Sequence, residues 1–359
     1  MLLKRCTKFT VLLFIYHLFF IGIAYLLRMN KGSDSQLYWA RNFNLNLYSW
    51  TDFIHYGTDI IIFFNYPFIK LGFPYWSGFL MYGIIGFLGI LKWMDLTQLI
   101  FKDSFMYKNH NLLYLLFLLP NLHYWTASLG KEALVFWGLA SIFYAIYTLK
   151  FKSIQFVLGI LLVLLIRPHV LLMLLTACVI ATLLQKKYSF KAKSYVVFSA
   201  VLILPILVLM VFQLTNIKYW NWSRIERFNN YSIISFRHSG SYVPMLKYNY
   251  IEKLFALNFR PFFFDAPNIW AILASIENLI AFTLFCITGV ILLVYAKKMH
   301  HPSWIISIIV YFGIASLLYI QRYANLGIFM RTKIMYQPFL YLVFLYYIKA
   351  YILLRKPNL

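Results

Sequence analysis

Acidic residues and cysteines are scarce in this chain of 359 residues. Lys and Arg total 33 against 10 Asp and Glu, and charged residues make up only 12% of the sequence while hydrophobic residues make up 62%. The three cysteines, Cys6, Cys178 and Cys286, lie near the N-terminus or inside apolar stretches. Their placement predicts neither a disulfide framework nor a metal site. This composition excludes an ordinary soluble domain and predicts a polytopic helical membrane protein.

Several signatures of common enzyme classes are missing from the sequence. It has no Gly-rich nucleotide loop, no cluster of zinc ligands and no nucleophile elbow. The Asp-x-Asp pair that often holds a metal with a sugar nucleotide is also absent. These absences argue against a cytosolic sugar-nucleotide site, and we expect neither a metal nor another cofactor. The net charge of +23 in so apolar a chain favours lipid phosphate over nucleic acid as the anionic partner.

The apolar pattern predicts an all-α bundle of about ten transmembrane helices. The stretch 153–184 is too long for one ordinary span, and it splits at Arg167-Pro168-His169 because proline breaks a helix and the flanking charge requires water. The first stretch resembles a signal peptide without a cleavage site, so we interpret it as a retained helix. Segment 59–71 is expected to be interfacial or re-entrant. The other predicted spans are Phe9–Leu27, Pro74–Leu91, Leu112–Trp125, Ala133–Thr148, Ser194–Phe212, Ile269–Tyr295, Ser303–Ile320 and Ile334–Tyr351.

Basic residues in the short loops predict that both termini are cytoplasmic. With ten spans, the loops at 150–152, 186–193 and 297–298 and the C-terminal tail collect lysines and arginines on one side. Merging the two short helices would place the four lysines of 186–193 outside. We therefore predict three regions: residues 1–213 with helices one to seven and an external loop at 28–72, an external aromatic and basic loop at 214–268, and residues 269–359 with helices eight to ten.

Basic residues also occur in short loops that this topology places outside. They are Lys131, Arg167, Arg322, Arg331 and Lys333. A charge at membrane depth costs several kcal/mol unless it is at an end, in a water-filled cavity or functional. The short loops on that face would normally be poor in cations, so we expect these side chains to bind an anionic ligand.

The segment from Leu119 to Glu132 combines a helix break, a turn and a charged helix start. Pro120 ends one helix, Gly130 permits a tight turn, and Lys131-Glu132 begins the next helix. Lys131 adds positive potential where backbone N–H groups already point, which favours a phosphate site. The alternative account of Glu132 is simple stabilisation of the helix start.

Arg167 and His169 flank the proline between two short apolar helices. Arginine is always charged and can donate to two phosphate oxygens at once. His169 is a candidate acid, base or hydrogen-bond donor. The alternative is that Arg167 only extends to the membrane interface.

Two other acidic residues are candidates for chemistry, and a third lies inside an apolar helix. Asp34 follows the first helix and suits a general base for a sugar hydroxyl, or alternatively a helix N-cap. Asp265 follows Arg260 and either orients it, acts as a base, or only braces a loop. Glu277 lies about two turns into an apolar helix and should face the bundle interior.

Aromatic residues accompany the basic ones in the long external loop. Aromatic rings with basic side chains suit sugar stacking and phosphate binding, and they suit an aromatic belt at the membrane interface equally well. The candidates for binding sugar or acceptor are Tyr38, Trp125, Arg237 and His238.

Together these motifs resemble those of bacterial polytopic polysaccharide polymerases, the Wzy- and EpsG-like group within the GT-C-type lipid-dependent glycosyltransferases. The motifs that carry the resemblance are Asp34 with Tyr38, Leu119-Pro120 through Trp125 to Gly130-Lys131-Glu132, Arg167-Pro168-His169, Phe259-Arg260-Pro261 with Glu277-Asn278, and Asn325-Leu326-Gly327 with Arg331. The resemblance implies a GT-C-like bundle in the bacterial inner membrane. It also implies metal-independent assembly of O-antigen, capsule or exopolysaccharide from undecaprenyl-diphosphate-linked repeat units on the external face.

This interpretation assigns provisional roles to the charged residues. The diphosphate would be held by Lys131, Arg167, Arg260, Arg322, Arg331 and Lys333. Asp34, Glu132 or Asp265 would deprotonate the acceptor, with assistance from His169. The expected partners are a polyprenyl-diphosphate-linked glycan, the lipid bilayer and other polysaccharide-assembly membrane proteins, and no nucleic acid.

Two alternatives remain open at this point. A GT-C transferase could move a single sugar from a polyprenyl-phosphate donor, with Asp34 as its base. A flippase or transporter of the lipid-linked glycan would need polar residues along a continuous path, whereas the charges here collect on one side.

Overall fold

A computed structural model describes residues 8–29, 33–102, 104–107, 110–215, 221–266 and 268–355. Residues 216–220 and 267 of the predicted external loop lie outside the described residues, as does Cys6. Within the described ranges the chain is almost entirely helical. Its α-helices are α1 (Lys8–Met29), α2 (Asp34–Tyr38), α3 (Asp59–Lys70), α4 (Tyr75–Phe101), α5 (Pro120–Thr126), α6 (Lys131–Thr148), α7 (Ile154–Ile166), α8 (Pro168–Leu184), α9 (Phe190–Leu214), α10 (Trp222–Ile234), α11 (Tyr250–Phe259), α12 (Ile269–Tyr295), α13 (Ser303–Tyr319), α14 (Leu326–Lys333) and α15 (Gln337–Arg355).

Short elements connect these helices. Strands β1 (Met106–Tyr107) and β2 (His110–Asn111) form a small antiparallel hairpin. The 3-10 helices are Leu45–Leu47, Trp50–Phe53, Leu112–Leu118, Met245–Lys247, Phe263–Asp265 and Ala296–Lys298. The predicted all-helical class is confirmed.

Five helical segments of the described residues are long and apolar enough to cross a membrane: α1, α4, α9, Ile269–Lys298 and α15. Helices α5 and α6 make a sixth if the 113° bend between them belongs to one span. Helices α7, α8 and α13 are apolar but shorter. These long apolar helices are those of a membrane protein. The predicted count of ten spans and the side of each terminus stay predictions.

Two prolines mark helix boundaries that the sequence predicted. Helix α7 ends at Ile166 and α8 begins at Pro168, so the predicted break at Arg167 is present. The predicted single helix Leu112–Trp125 is wrong, because a 3-10 helix ends at Leu118 and α5 starts with Pro120 as its first residue. Proline has no N–H to donate and is favoured at the first position of a helix, so Pro120 starts α5 and does not extend the preceding turn.

The chain divides into two compact units, Met1–Pro168 and His169–Leu359. The three-part division predicted from the sequence is a different description of the chain, organised by membrane side, and stays a prediction. Each unit has a core of its own.

In the first unit, α4 and α6 pack closely, with α1, α5 and α7 around them. Gly86 of α4 permits the approach to α5, since a Cβ there would lie 2.0 Å from the Thr126 carbonyl oxygen. Two buried histidines also join helices: His17 Nδ1 of α1 lies 2.9 Å from His123 Nδ1 of α5. His17 Nε2 donates to the Gly83 carbonyl of α4 over 2.9 Å.

In the second unit, α15 packs against α12 and α13 through a layer of buried aromatic rings. Helix α9 differs, because most of its apolar side chains are exposed and only Leu207 is buried. An apolar face of this extent is normal for a helix whose solvent is lipid.

Candidate functional site

In the first unit, the start of α6 is a charged corner produced by a tight turn. Gly130 precedes the helix with φ of +157°. A Cβ at this position would lie 3.1 Å from the Tyr38 ring and 3.3 Å from Glu132 Oε2. The turn therefore favours glycine here, as the sequence predicted, and it directs Lys131 and Glu132 to the same corner.

Arg167 meets this corner from the break between α7 and α8. Its Nη2 donates to Glu132 Oε1 over 2.5 Å, and the two side chains are only 11% and 3% exposed. The Nε of Arg167 is buried and has no hydrogen-bond partner among the described residues. The sequence proposed both residues as site candidates, and the structure brings them together as a buried ion pair.

The remaining contacts of the corner come from the segment that leads into α3. Lys131 Nζ donates to Thr58 Oγ1 over 2.9 Å. The Gly57 N–H donates to the Leu165 carbonyl over 2.7 Å, which holds this segment against the end of α7. We call Lys131, Glu132 and Arg167 the α6 corner.

Tyr38 and Asp34 lie on α2, and only Tyr38 is at the α6 corner. Tyr38 is buried, and its carbonyl accepts from Asn65 Nδ2 over 2.9 Å, which fixes α2 to α3. Asp34 is exposed in the first turn of α2, and the N-cap position belongs to Ser33. The alternative account, in which Asp34 simply starts a helix through Tyr38, is therefore confirmed, with the N-cap position one residue earlier than predicted.

Trp125 takes part in a contact that the sequence did not reveal. The Arg28 guanidinium carbon lies 5.0 Å from the centre of the Trp125 ring and 5.6 Å from that of Tyr124. A cation over these faces competes with a sugar for the same surface. The position of Arg28 at the end of an apolar helix gave no local signal for this partner.

In the second unit, Arg260 and Asp265 form a two-point ion pair. Arg260 Nε donates to Asp265 Oδ2 over 2.8 Å, and Arg260 Nη2 donates to Asp265 Oδ1. Arg260 Nη1 donates to the Tyr248 hydroxyl over 2.9 Å. Burial raises the pKa of Asp265, but hydrogen bonds from Arg260 and from the Phe262 N–H outweigh it, so that the pKa lies below its ordinary value. An ionised Asp265 is thus held by its neighbour, as in the loop-bracing alternative.

Lys333 makes hydrogen bonds to the same segment. Its side chain is fully buried, and Nζ donates to the Arg260 carbonyl over 2.7 Å and to Asn278 Oδ1 over 2.8 Å. Asn278 in turn donates to the Pro261 carbonyl over 2.8 Å. Burial lowers the pKa of Lys333 to about 7, against an opposing effect of Glu277. In this arrangement Lys333 directs its protons to protein acceptors.

The other predicted residues of the second unit have separate contacts of their own. The Arg322 guanidinium carbon lies 4.6 Å from the centre of the Phe228 ring, and its buried Nε has no partner among the described residues. The ring of His169 contacts that of Tyr319 at 6.3 Å. Arg331 is half-buried on α14, while Arg237 and His238 are exposed after α10. Their assigned roles stay predictions.

Comparison with protein-family models, with curated proteins and with solved structures finds no match to this chain. Among the described residues, no three His, Cys, Asp or Glu side chains lie close enough together to hold a metal ion.

Proposed function

We propose that this chain is a membrane glycosyltransferase that polymerises undecaprenyl-diphosphate-linked repeat units into a surface polysaccharide at the external face of the bacterial inner membrane. The observation that carries the proposal is the α6 corner, where a buried Arg–Glu pair lies beside a second cation at the start of a helix. Burying such a pair is costly compared with apolar packing. Its presence is accounted for if the corner binds an anion.

The corner has donors suited to a diphosphate. Arg167 uses Nη2 for Glu132, whereas its Nε–H has no partner among the described residues. A guanidinium carries five N–H donors in a fixed geometry that matches phosphate oxygens. Lys131 and the N–H groups of the first turn of α6 add positive potential at the same place.

The proposed reaction transfers a glycan from one lipid carrier to the end of another. The acceptor hydroxyl oxygen attacks the anomeric carbon of the donor, and the bond from that carbon to the diphosphate oxygen breaks. The electron pair leaves with the polyprenyl diphosphate, whose charge Arg167 and Lys131 stabilise. The diphosphate displaces Glu132 from Arg167, and the released carboxylate accepts the hydroxyl proton as general base. Asp34 and Asp265 remain the other acids for this role.

A complementation experiment tests the proposal. A deletion strain receives the wild-type chain, Arg167→Met, Arg167→Lys or Arg227→Gln, and the surface glycan is resolved on a gel while immunoblots report the amount of protein in the membrane. Arg227 is exposed on α10 and serves as a matched loss of one positive charge. We expect Arg167→Met to leave a single repeat unit, Arg167→Lys to restore a shortened ladder, and Arg227→Gln to restore the full ladder.

Other outcomes would overturn the proposal. A full ladder with Arg167→Met at normal abundance would remove the α6 corner from the reaction. If the deletion strain makes a glycan ladder of normal length that lacks one decoration, the chain transfers a single sugar. If the surface glycan of the deletion strain is unchanged, the chain takes no part in glycan assembly.

A further inference from the structure

One end of the second unit carries a cluster of exposed basic side chains. We define this basic surface by six exposed residues: Lys186, Lys187, Lys191, Lys297, Lys298 and Arg355. They come from three separate places in the chain, namely the start of α9 with the turn before it, the turn after α12 and the last turn of α15.

Hydrogen bonds hold these three segments together. Gln185 Nε2 donates to the His301 carbonyl over 2.6 Å, which joins the α8–α9 turn to the α12–α13 turn. His301 Nδ1 lies 2.7 Å from the Tyr347 hydroxyl, and Arg355 Nη2 donates to the Tyr295 hydroxyl over 3.4 Å. The fold therefore gathers cations that are far apart in sequence onto one surface.

Acidic side chains do not offset this charge. The second unit contains four acids in its sequence: Glu226, Glu252, Asp265 and Glu277. Glu226, Glu252 and Asp265 lie in the segment between the C-terminal end of α9 and the start of α12. Glu277 is the nearest along α12 to the basic surface, and the 18 residues from it to Tyr295 correspond to about 27 Å of helix. The three segments that form the basic surface thus carry charge of one sign.

Exposed apolar side chains lie directly beside the cations. Leu184, Leu293 and Leu353 are 64%, 88% and 62% exposed, and each lies within four residues of a member of the basic surface. The Arg355 guanidinium carbon lies 5.3 Å from the centre of the Tyr351 ring. Exposed leucines with tyrosines and basic residues within a few positions are typical of helix ends that pass from hydrocarbon into the headgroup layer.

We propose that the basic surface binds the phosphate headgroups of anionic phospholipids in the leaflet that this end of the unit meets. A nucleic acid could pair with the cations but offers no apolar chain to the flanking leucines, and an acidic protein would need an apolar face of matching position beside its carboxylates. A phospholipid covers both, because its phosphate pairs with the lysines and its acyl chains pack on the leucines. The inference does not depend on the reaction proposed above.

Lipid retention by the purified full-length chain tests this assignment. The protein in neutral detergent is mixed with equal amounts of phosphatidylglycerol and phosphatidylcholine, repurified, and its bound lipids are counted by mass spectrometry. The variants are Lys186→Gln, Lys187→Gln, Lys297→Gln and Lys298→Gln combined, and the same four positions changed to Arg. The matched control combines Arg224→Gln, Arg227→Gln, Lys247→Gln and Lys253→Gln, which removes the same charge at the other end.

The wild-type chain should retain phosphatidylglycerol in preference to phosphatidylcholine, and high salt should weaken the preference. The glutamine variant should lose the preference by roughly threefold or more, since each Lys near an anionic surface contributes to lipid attraction. The arginine variant and the control should keep it. Equal retention in all variants, loss in the arginine variant, or an equal loss in the control would each overturn the proposal.

Discussion

At the scale of single residues, the chain places its few buried charges against specific partners. Arg167 contacts Glu132, and Lys333 contacts the Arg260 carbonyl and Asn278. A buried charge without such contacts would be far more costly, because desolvation in an apolar interior is not repaid. The two kinds of contact have different consequences. The Arg167 pair leaves a donor for a ligand, whereas Lys333 uses its donors on the protein.

The Arg167–Glu132 pair should respond cooperatively to substitution. Removing one member leaves the other buried and unpaired, so Glu132→Gln or Arg167→Met should each lower the free energy of unfolding by about 3–5 kcal/mol. The double variant should cost clearly less than the sum. Thermal unfolding of the four proteins in the same detergent measures this coupling. Additive losses would show that the two side chains do not interact.

The ion pair between Asp265 and Arg260 should make the folded protein less stable in acid. Its folded pKa lies below the ordinary value, so the pair with Arg260 stabilises the fold fully above the unfolded pKa of about 3.9. That contribution is lost as the pH falls through the folded pKa. The melting temperature of wild type should therefore fall more steeply below about pH 4 than that of Asp265→Asn. Parallel curves for the two proteins would contradict the assignment.

At the scale of helices, close packing in the first unit depends on small residues. A Cβ at Gly86 would overlap the Thr126 carbonyl oxygen at 2.0 Å, and one at Gly138 would lie 2.9 Å from the Gly159 carbonyl oxygen. Backbone atoms cannot move aside as a flexible side chain can, so these helices must separate if either glycine is replaced.

The glycine contacts are tested by matched alanine substitutions. Gly86→Ala should lower the free energy of unfolding by about 1–3 kcal/mol through overpacking. Gly289→Ala in α12 meets nothing within 4 Å and should be neutral or stabilise by up to about 1 kcal/mol, the usual helix preference for alanine. Thermal melts of both variants in detergent make the comparison. An unchanged melting temperature for Gly86→Ala would contradict this packing.

Local sequence signals account for the helix boundaries but not for the pairings between helices. Pro168 and Gly130 indicated where chains break and turn, because their backbone preferences act within a few residues. Arg167 and Glu132 are 35 residues apart, and Lys333 and Arg260 are 73 apart. No periodicity or motif specifies such partners, since they depend on how helices pack. The predicted break at Pro120 is present, whereas the predicted span Leu112–Trp125, which crosses that residue, is wrong.

At the scale of the whole chain, the long apolar helices indicate a membrane protein. Its charged loops predict which side of the membrane each helix end faces. Within the second unit, α9 separates the basic surface from the segment that contains Arg237 and His238. If α9 crosses the bilayer, these two regions lie on opposite faces. The positive-inside rule predicts that the basic surface then faces the cytoplasm.

Cysteine labelling tests that sidedness. Ser241→Cys should react with a membrane-impermeant maleimide in intact cells, whereas Lys187→Cys should react only after the cells are made permeable. Both variants are made in a background without the native cysteines. Equal labelling of the two positions in intact cells would contradict the predicted orientation of α9.

The most direct test of the proposed function is turnover by the purified chain. The protein is reconstituted into proteoliposomes with an undecaprenyl-diphosphate-linked repeat unit, and mass spectrometry measures glycan length and released undecaprenyl diphosphate. The account predicts a ladder of products with one carrier diphosphate released for each new linkage, and no ladder with Arg167→Met. Intact substrate, or its movement across the bilayer without release of the carrier, would contradict the account.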